Sequence, residues 1–122
     1  LQAWPLIDAE RDKILRSEPW QKLKDDALHF ESELPIAYLK DSMLVRGIID
    51  LLLQQADNRW LIVDYKTSWE ALQGGDLLEL CYKKKYDQQL QLYKEGIQRL
   101  HPNSEILCAI FFTAQQELVY LP

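Results

Sequence analysis

Hydrophobic and polar positions alternate along this chain in a way that predicts two short helices, three strands, a longer helix and two more strands. The stretch from Asp8 to Arg16 reads as a short helix. Ser17-Glu18-Pro19 then places an N-cap residue and a first-turn proline at the start of a second helix reaching about Ala27. Glu33 to Leu39 alternates as a strand does, and Lys40-Asp41-Ser42 supplies turn chemistry. Met43 to Gln54 is a long apolar strand interrupted by Arg46, Gly47 and Asp50. Gln55 to Asn58 makes the next turn, and Trp60 to Tyr65 is a further strand, so the three form an antiparallel meander.

Ser68 to Gly75 reads as a loop with Gly74-Gly75 as its joint. A helix follows from near Asp76 to Leu100, with a break around Cys81, and it ends before Pro102. Its second half sets Tyr86, Leu90, Tyr93, Ile97 and Leu100 on one stripe. Ile106 to Phe112 is a continuous apolar run, the signature of a strand covered on both faces, and Leu118 to Leu121 is a short edge strand. The order α-β-β-β-α-β-β predicts an α/β fold, a mixed sheet flanked by helices.

A length of 122 residues fits one domain, residues 1–122, and 48% apolar with 27% charged residues excludes a disordered chain. No stretch approaches the ~20 apolar residues of a membrane span and no signal peptide opens the chain, so the expected location is cytoplasmic with no membrane partner. The first residue is Leu1 rather than Met, which suggests a piece of a longer protein. Cys81 and Cys108 are too few for a disulfide framework or a four-thiolate cluster and read as buried hydrophobes. A net charge of -5 argues against a DNA coat protein, but suits a site that gathers carboxylates around a cation.

The informative feature is a pair of acids in apolar strands. Asp50 interrupts Ile48-Ile49-Asp50-Leu51-Leu52-Leu53, and Asp64 interrupts Leu61-Ile62-Val63-Asp64-Tyr65. A buried carboxylate is unfavourable unless it is paired or metal-bound. One hairpin turn separates the two, so their side chains can converge, and a divalent cation between them relieves the repulsion. Lys66, two residues after Asp64, points to the same face. Asp-X-Lys alone is more often a surface ion pair than a catalytic site, whereas the two acids together with Lys66 are as compatible with phosphodiester cleavage as with a structural role.

Gly47-Ile48-Ile49-Asp50 followed by Ile62-Val63-Asp64-Tyr65-Lys66-Thr67 resembles the core signature of PD-(D/E)XK nucleases. Tyr86-Asp87-Gln88-Gln89-Leu90-Gln91-Leu92-Tyr93 is similar to the Gln-x-x-x-Tyr helix motif of the RecB/AddA branch, and Glu33-Leu34-Pro35 to the segment opening its first strand. The resemblance spans roughly Pro19 to Tyr120. It implies a restriction-endonuclease-like core and a metal-dependent DNA exonuclease, the C-terminal part of an ATP-dependent helicase-nuclease in double-strand break repair and recombination. The implied partners are DNA, a helicase domain of the same parent chain and a second subunit; no phosphate-binding Gly-x-x-x-x-Gly-Lys-Ser/Thr loop occurs here.

By that resemblance, Asp50, Asp64 and the Tyr65 carbonyl hold Mg2+ or Mn2+, Lys66 orients water or stabilises phosphoryl charge, and Gln89 and Tyr93 brace the site or contact DNA. Tyr86 and Tyr93 lie on the apolar stripe, where core packing is an equal reading that can coexist with function. Lys83-Lys84-Lys85 is available to phosphate or is a solvated helix turn. Glu33 is a further acid for the metal or a strand-start residue. Family members also use an upstream histidine; His29 stands where the first strand begins and His101 at a helix end, so the expected ligand falls before Leu1. AddB-like relatives carry an iron–sulfur cluster on four cysteines, which this chain lacks, favouring the RecB/AddA branch. The alternative is an inactive nuclease-like module for DNA-end binding or subunit docking.

Overall fold

The computed structural model of the chain describes residues 16–66 and 75–122. The helix expected from Asp8 to Arg16 and the loop expected from Ser68 to Gly75 fall on residues outside that range, apart from Arg16 and Gly75. The described elements are α1 (Glu18–Asp25), β1 (His29–Lys40), β2 (Met43–Gln55), β3 (Arg59–Lys66), α2 (Leu77–Lys83), α3 (Tyr86–Leu100), β4 (Glu105–Phe112) and β5 (Glu117–Leu121). The sheet order is β1-β2-β3-β4-β5. β1, β2 and β3 form the antiparallel meander, β3 and β4 run parallel, and β5 closes the far edge antiparallel to β4. This is the mixed α/β sheet that the pattern predicts.

Local chemistry accounts for the turns. Asp41 and Ser42 both have positive φ, the backbone of a two-residue hairpin whose twist matches its strands, and Lys40 pairs with Met43 across it. Asp57 and Asn58 take the same left-handed region after β2, as short polar side chains tolerate. Ser17 sits at the N-cap of α1 in extended conformation, and its carbonyl accepts the first helical bond from the Gln21 N–H. Asp76 caps α2 by accepting from the N–H groups of Leu78 and Glu79.

Two apolar layers lie on the two faces of the sheet. On one, Ile49, Leu52, Ile62, Cys108, Ile110 and Phe112 meet Leu90, Tyr93 and Ile97 of α3. On the other, Leu51, Leu53, Leu61, Val63, Ala109 and Phe111 surround Trp20 of α1. β4 contributes alternate residues to both, which is why its sequence is unbroken apolar. No helix among the described residues is long and apolar enough to cross a membrane.

Four expectations need correction. β1 begins at His29, four residues before Glu33, because His29 to Ser32 pair with Gln54 to Leu51 while staying exposed. Glu33 is therefore inside the strand, not at its start. The helix expected from Asp76 to Leu100 is two helices, broken at Lys84–Lys85 rather than at Cys81, with Lys85 left-handed at φ 61°. Leu100 is solvent-exposed, so the buried stripe of α3 stops at Ile97.

Candidate active site

The alternation of β2 slips by one residue at Asp50. Gly47 and Ile49 face α3, yet Leu51 and Leu53, at the same parity, face α1. A regular strand would put all four on one side. The uniform register that pairs Ser32 with Leu51 and Leu34 with Ile49 sets Glu33 opposite Asp50, and Glu33 has φ 52°. Both strands change phase together there, so their pairing survives. Leu52 faces α3, and Asp50 falls in phase with it and not with Ile49.

The β2–β3 ladder ends at Leu51↔Val63, and extending its register by one step sets Asp50 against Asp64. The two carboxyls are close enough for each to act on the other's proton. Asp50 Oδ2 also accepts from the Tyr65 N–H at 3.0 Å. Burial, followed by the neighbouring Asp64 carboxyl and its charge, pushes the Asp50 carboxyl up to about 8; the Tyr65 N–H and the Lys66 ammonium pull in the opposite direction. Two anions at this separation repel strongly, so Asp50 keeps its proton near neutrality unless a cation takes the proton's place.

Asp64 is 4% exposed, and Lys66 Nζ stands 2.9 Å from its Oδ2. That approach is an ion pair by distance, but its alignment falls short of a hydrogen bond, leaving the buried Oδ2 without a donor among the described residues. A buried Asp64 oxygen whose lysine neighbour is poorly aligned to donate, beside a carboxyl that burial drives to hold a proton, fits a hard cation with oxygen ligands. Among the described residues no three His, Cys, Asp or Glu side chains gather for a metal, so the side-chain donors are these two acids.

α3 closes the site from above. Lys66 Nζ lies 4.9 Å from the Tyr86 ring centre, on the ring face. Gln89 Nε2 donates to the Tyr93 hydroxyl at 3.1 Å. Burial raises the Tyr93 phenol above its ordinary pKa; the Gln89 hydrogen bond lowers it, and the nearby Asp64 charge raises it again. Tyr93 is both core and site, since its ring packs among Ile49, Leu90 and Ile97 while its hydroxyl feels the acids.

Asp50, Asp64, Lys66, Tyr86, Gln89 and Tyr93 are thus brought together, with the Tyr65 backbone among them. Glu33 is exposed and opposite Asp50 by register. The histidines are elsewhere: His29 pairs with Gln54, four positions along β2 from Asp50, and His101 stacks on Trp60 at 4.4 Å. Lys83, Lys84 and Lys85 are exposed at the α2–α3 break, directly before Tyr86. Cys81 and Cys108 are buried thiols whose pKa burial pushes up to about 11, so they remain protonated. The Tyr65 N–H bond to Asp50, the Tyr86 ring under Lys66 and the phase slip at Glu33 left no mark in the order of residues.

The sequence pattern of the PD-(D/E)XK nuclease superfamily matches residues 5–120 of this chain. An ATP-dependent helicase/nuclease subunit from Oceanobacillus iheyensis is 32% identical over 82 residues, covering 67% of this chain and 6% of that protein. Its namesake from Listeria innocua is 27% identical over 99 residues, covering 75% of this chain and 7% of that protein. The chain therefore spans less than a tenth of the length of these relatives. With the match running through both acid-bearing strands and on to β5, the chain belongs to the PD-(D/E)XK nuclease superfamily.

Proposed function

We propose that this chain is a single nuclease domain that hydrolyses DNA phosphodiester bonds as an exonuclease, using Mg2+ or Mn2+ held by Asp50, Asp64 and the Tyr65 carbonyl. The observation that carries this reading is the placement of the Asp50 and Asp64 carboxyls opposite each other on neighbouring strands, with the Lys66 ammonium 2.9 Å from the buried Asp64 Oδ2. When bound, a divalent cation supplies Lewis acidity toward phosphate and makes water more acidic.

The chain's own residues do the rest. Asp50, once deprotonated, would hold the cation together with Asp64, and the Tyr65 N–H orients the Asp50 carboxyl by donating to its Oδ2. Lys66, its side chain one quarter exposed, offers a positive charge at the rim of the acids where phosphoryl oxygens arrive. Gln89 and Tyr93, joined by a hydrogen bond on α3, brace the site or contact the DNA strand. Glu33, opposite Asp50 by register, does not gather with the two acids and is left with a supporting role. The name of the relatives and the small share of their length matched support a place within an ATP-dependent helicase-nuclease. Its partners there are a helicase domain and a second subunit, and its process is double-strand break repair and recombination.

The test uses the full-length parent protein. Linear end-labelled DNA should be degraded with Mg2+ or Mn2+, while a covalently closed circle survives. Asp64→Ala should abolish the degradation and leave helicase activity intact. Cleavage that persists in chelator, or in Asp64→Ala, would remove the acids from the chemistry and leave a nuclease-like docking module.

A further inference from the structure

Among the described residues, Lys66 lies between an acid that opposes its charge and an aromatic ring that does not. On one side Asp64 Oδ2 stands 2.9 Å from Nζ; on the other the Tyr86 ring face lies 4.9 Å away. A lysine ammonium on its four-carbon stem has much rotamer freedom, so an active lysine needs something to hold it. Asp64 holds it at the expense of its charge, whereas an aromatic face attracts a cation through its quadrupole without accepting a proton or neutralising it. The N–H groups pointing away from the ring stay available for phosphate.

Tyr86 reaches this position through an unusual backbone. It is the first residue of α3, and Lys85 before it is left-handed at φ 61° and ψ 28°. A non-glycine residue in that region costs roughly 1–2 kcal/mol. The α2–α3 break that requires it delivers Tyr86 onto Lys66. The ring is also half-buried against the α3-side core, so its own orientation is fixed.

We propose that Tyr86 is a positioning residue that holds the Lys66 ammonium in place by its ring face, and that its hydroxyl is dispensable. The proposal rests on the nuclease reading above and adds a role for a residue outside the acids and the lysine.

Single-turnover DNA cleavage by the full-length parent protein tests it. Tyr86→Phe should cleave within about twofold of the parent, while Tyr86→Leu should lose about tenfold in kcat at unchanged KM, the scale of one partly desolvated cation–π contact. Phenylalanines of increasing fluorination at position 86 keep the packing and weaken the ring quadrupole, and the rate should fall stepwise along that series. This covers the case in which Tyr86→Leu does not fold. In a Lys66→Ala background, Tyr86→Leu should add no further loss, because a residue acting through the lysine has nothing left to hold. If Lys66→Ala is impaired and Tyr86→Leu still adds its full effect, or if fluorination leaves the rate unchanged, Tyr86 is only a packing residue. If Lys66→Ala cuts at the parental rate, the assignment of the lysine itself falls, and the positioning role with it.

Discussion

The Tyr93 ring fills the space that a side chain at Gly47 would need: a Cβ built on Gly47 would stand 2.5 Å from Cε1 of that ring and 3.2 Å from its hydroxyl oxygen. The ring is buried, so it has little room to retreat. Gly47→Ala should therefore destabilise the domain by about 1–3 kcal/mol, the usual scale of overpacking a filled core. It should also slow cleavage, because Tyr93 carries the hydroxyl that Gln89 bonds beside the acids. Urea denaturation and cleavage rates read the two effects. Parental behaviour in both would mean that the ring is free to move.

In the metal-free protein the Asp50 carboxyl is raised to about 8, mainly by burial. The unfolded chain releases that proton near the ordinary value of about 4. Between those two values the native state binds more protons than the unfolded one, so Asp50 makes stability fall as pH rises. Its favourable contribution is complete below about 4 and is lost as pH climbs through about 8. The steepest slope is on the order of 1 kcal/mol per pH unit. Asp50→Asn should flatten that part of the profile in chelator and be the more stable protein at high pH. An unchanged slope in Asp50→Asn would place the titration elsewhere. Cation binding to the parent should release protons and tighten with pH over the same window.

The acids and the lysine should separate in a calorimetric manganese titration run beside single-turnover cleavage. Asp64→Ala deletes a ligand and a negative charge, so metal affinity and cleavage should collapse together. Lys66→Ala deletes no ligand and removes a repelling cation. Its metal binding should persist or tighten while the chemical step slows by ~100-fold, the scale of one lost electrostatic group. Metal loss in Lys66→Ala as complete as in Asp64→Ala would make the lysine a structural partner of the acids.

Trp20 fastens α1 to the sheet. It is 1% exposed and packs against Phe111 at 5.5 Å and edge-on to Tyr65 at 6.0 Å, while its indole N–H is buried without a partner among the described residues. Trp20→Ala should cost about 3–5 kcal/mol through the cavity it leaves. Trp20→Phe should cost much less, since it keeps most of the apolar contact and removes an unsatisfied donor. Equal losses in thermal denaturation would show that the indole N–H has found a partner.

What the sequence made legible follows from how each element is stabilised. β2, β3 and β4 bury their side chains, so their apolar runs are visible, and Asp50 and Asp64 stand out as interruptions within them. The first four residues of β1 are held by backbone pairing with β2 and bury nothing, so no alternation marks them. The α2–α3 break falls in Lys84–Lys85, without a glycine or proline to announce it. Lys66 on the side of Asp64 follows from strand parity, and the 2.9 Å approach agrees with it. Parity fails across Asp50, where the strand changes phase opposite the left-handed Glu33, and no residue in the sequence announces that. Which aromatic ring meets Lys66 depends on tertiary packing, which spacing does not encode.

The parallel pairing of β3 with β4 also sets the order in which the molecule can be made. Arg59 to Lys66 align with Glu105 to Phe112, so the strand bearing Asp64 and Lys66 has its second neighbour only after two helices have intervened. As the chain leaves the ribosome, the meander can form early from near-neighbour contacts, but β3 remains an open edge until β4 emerges. Closing that pair brings together distant parts of the chain before any contact rewards it, which makes it the slow step. Until then the acid-bearing strand exposes an apolar, unpaired backbone, and association with another nascent chain competes with completing the site.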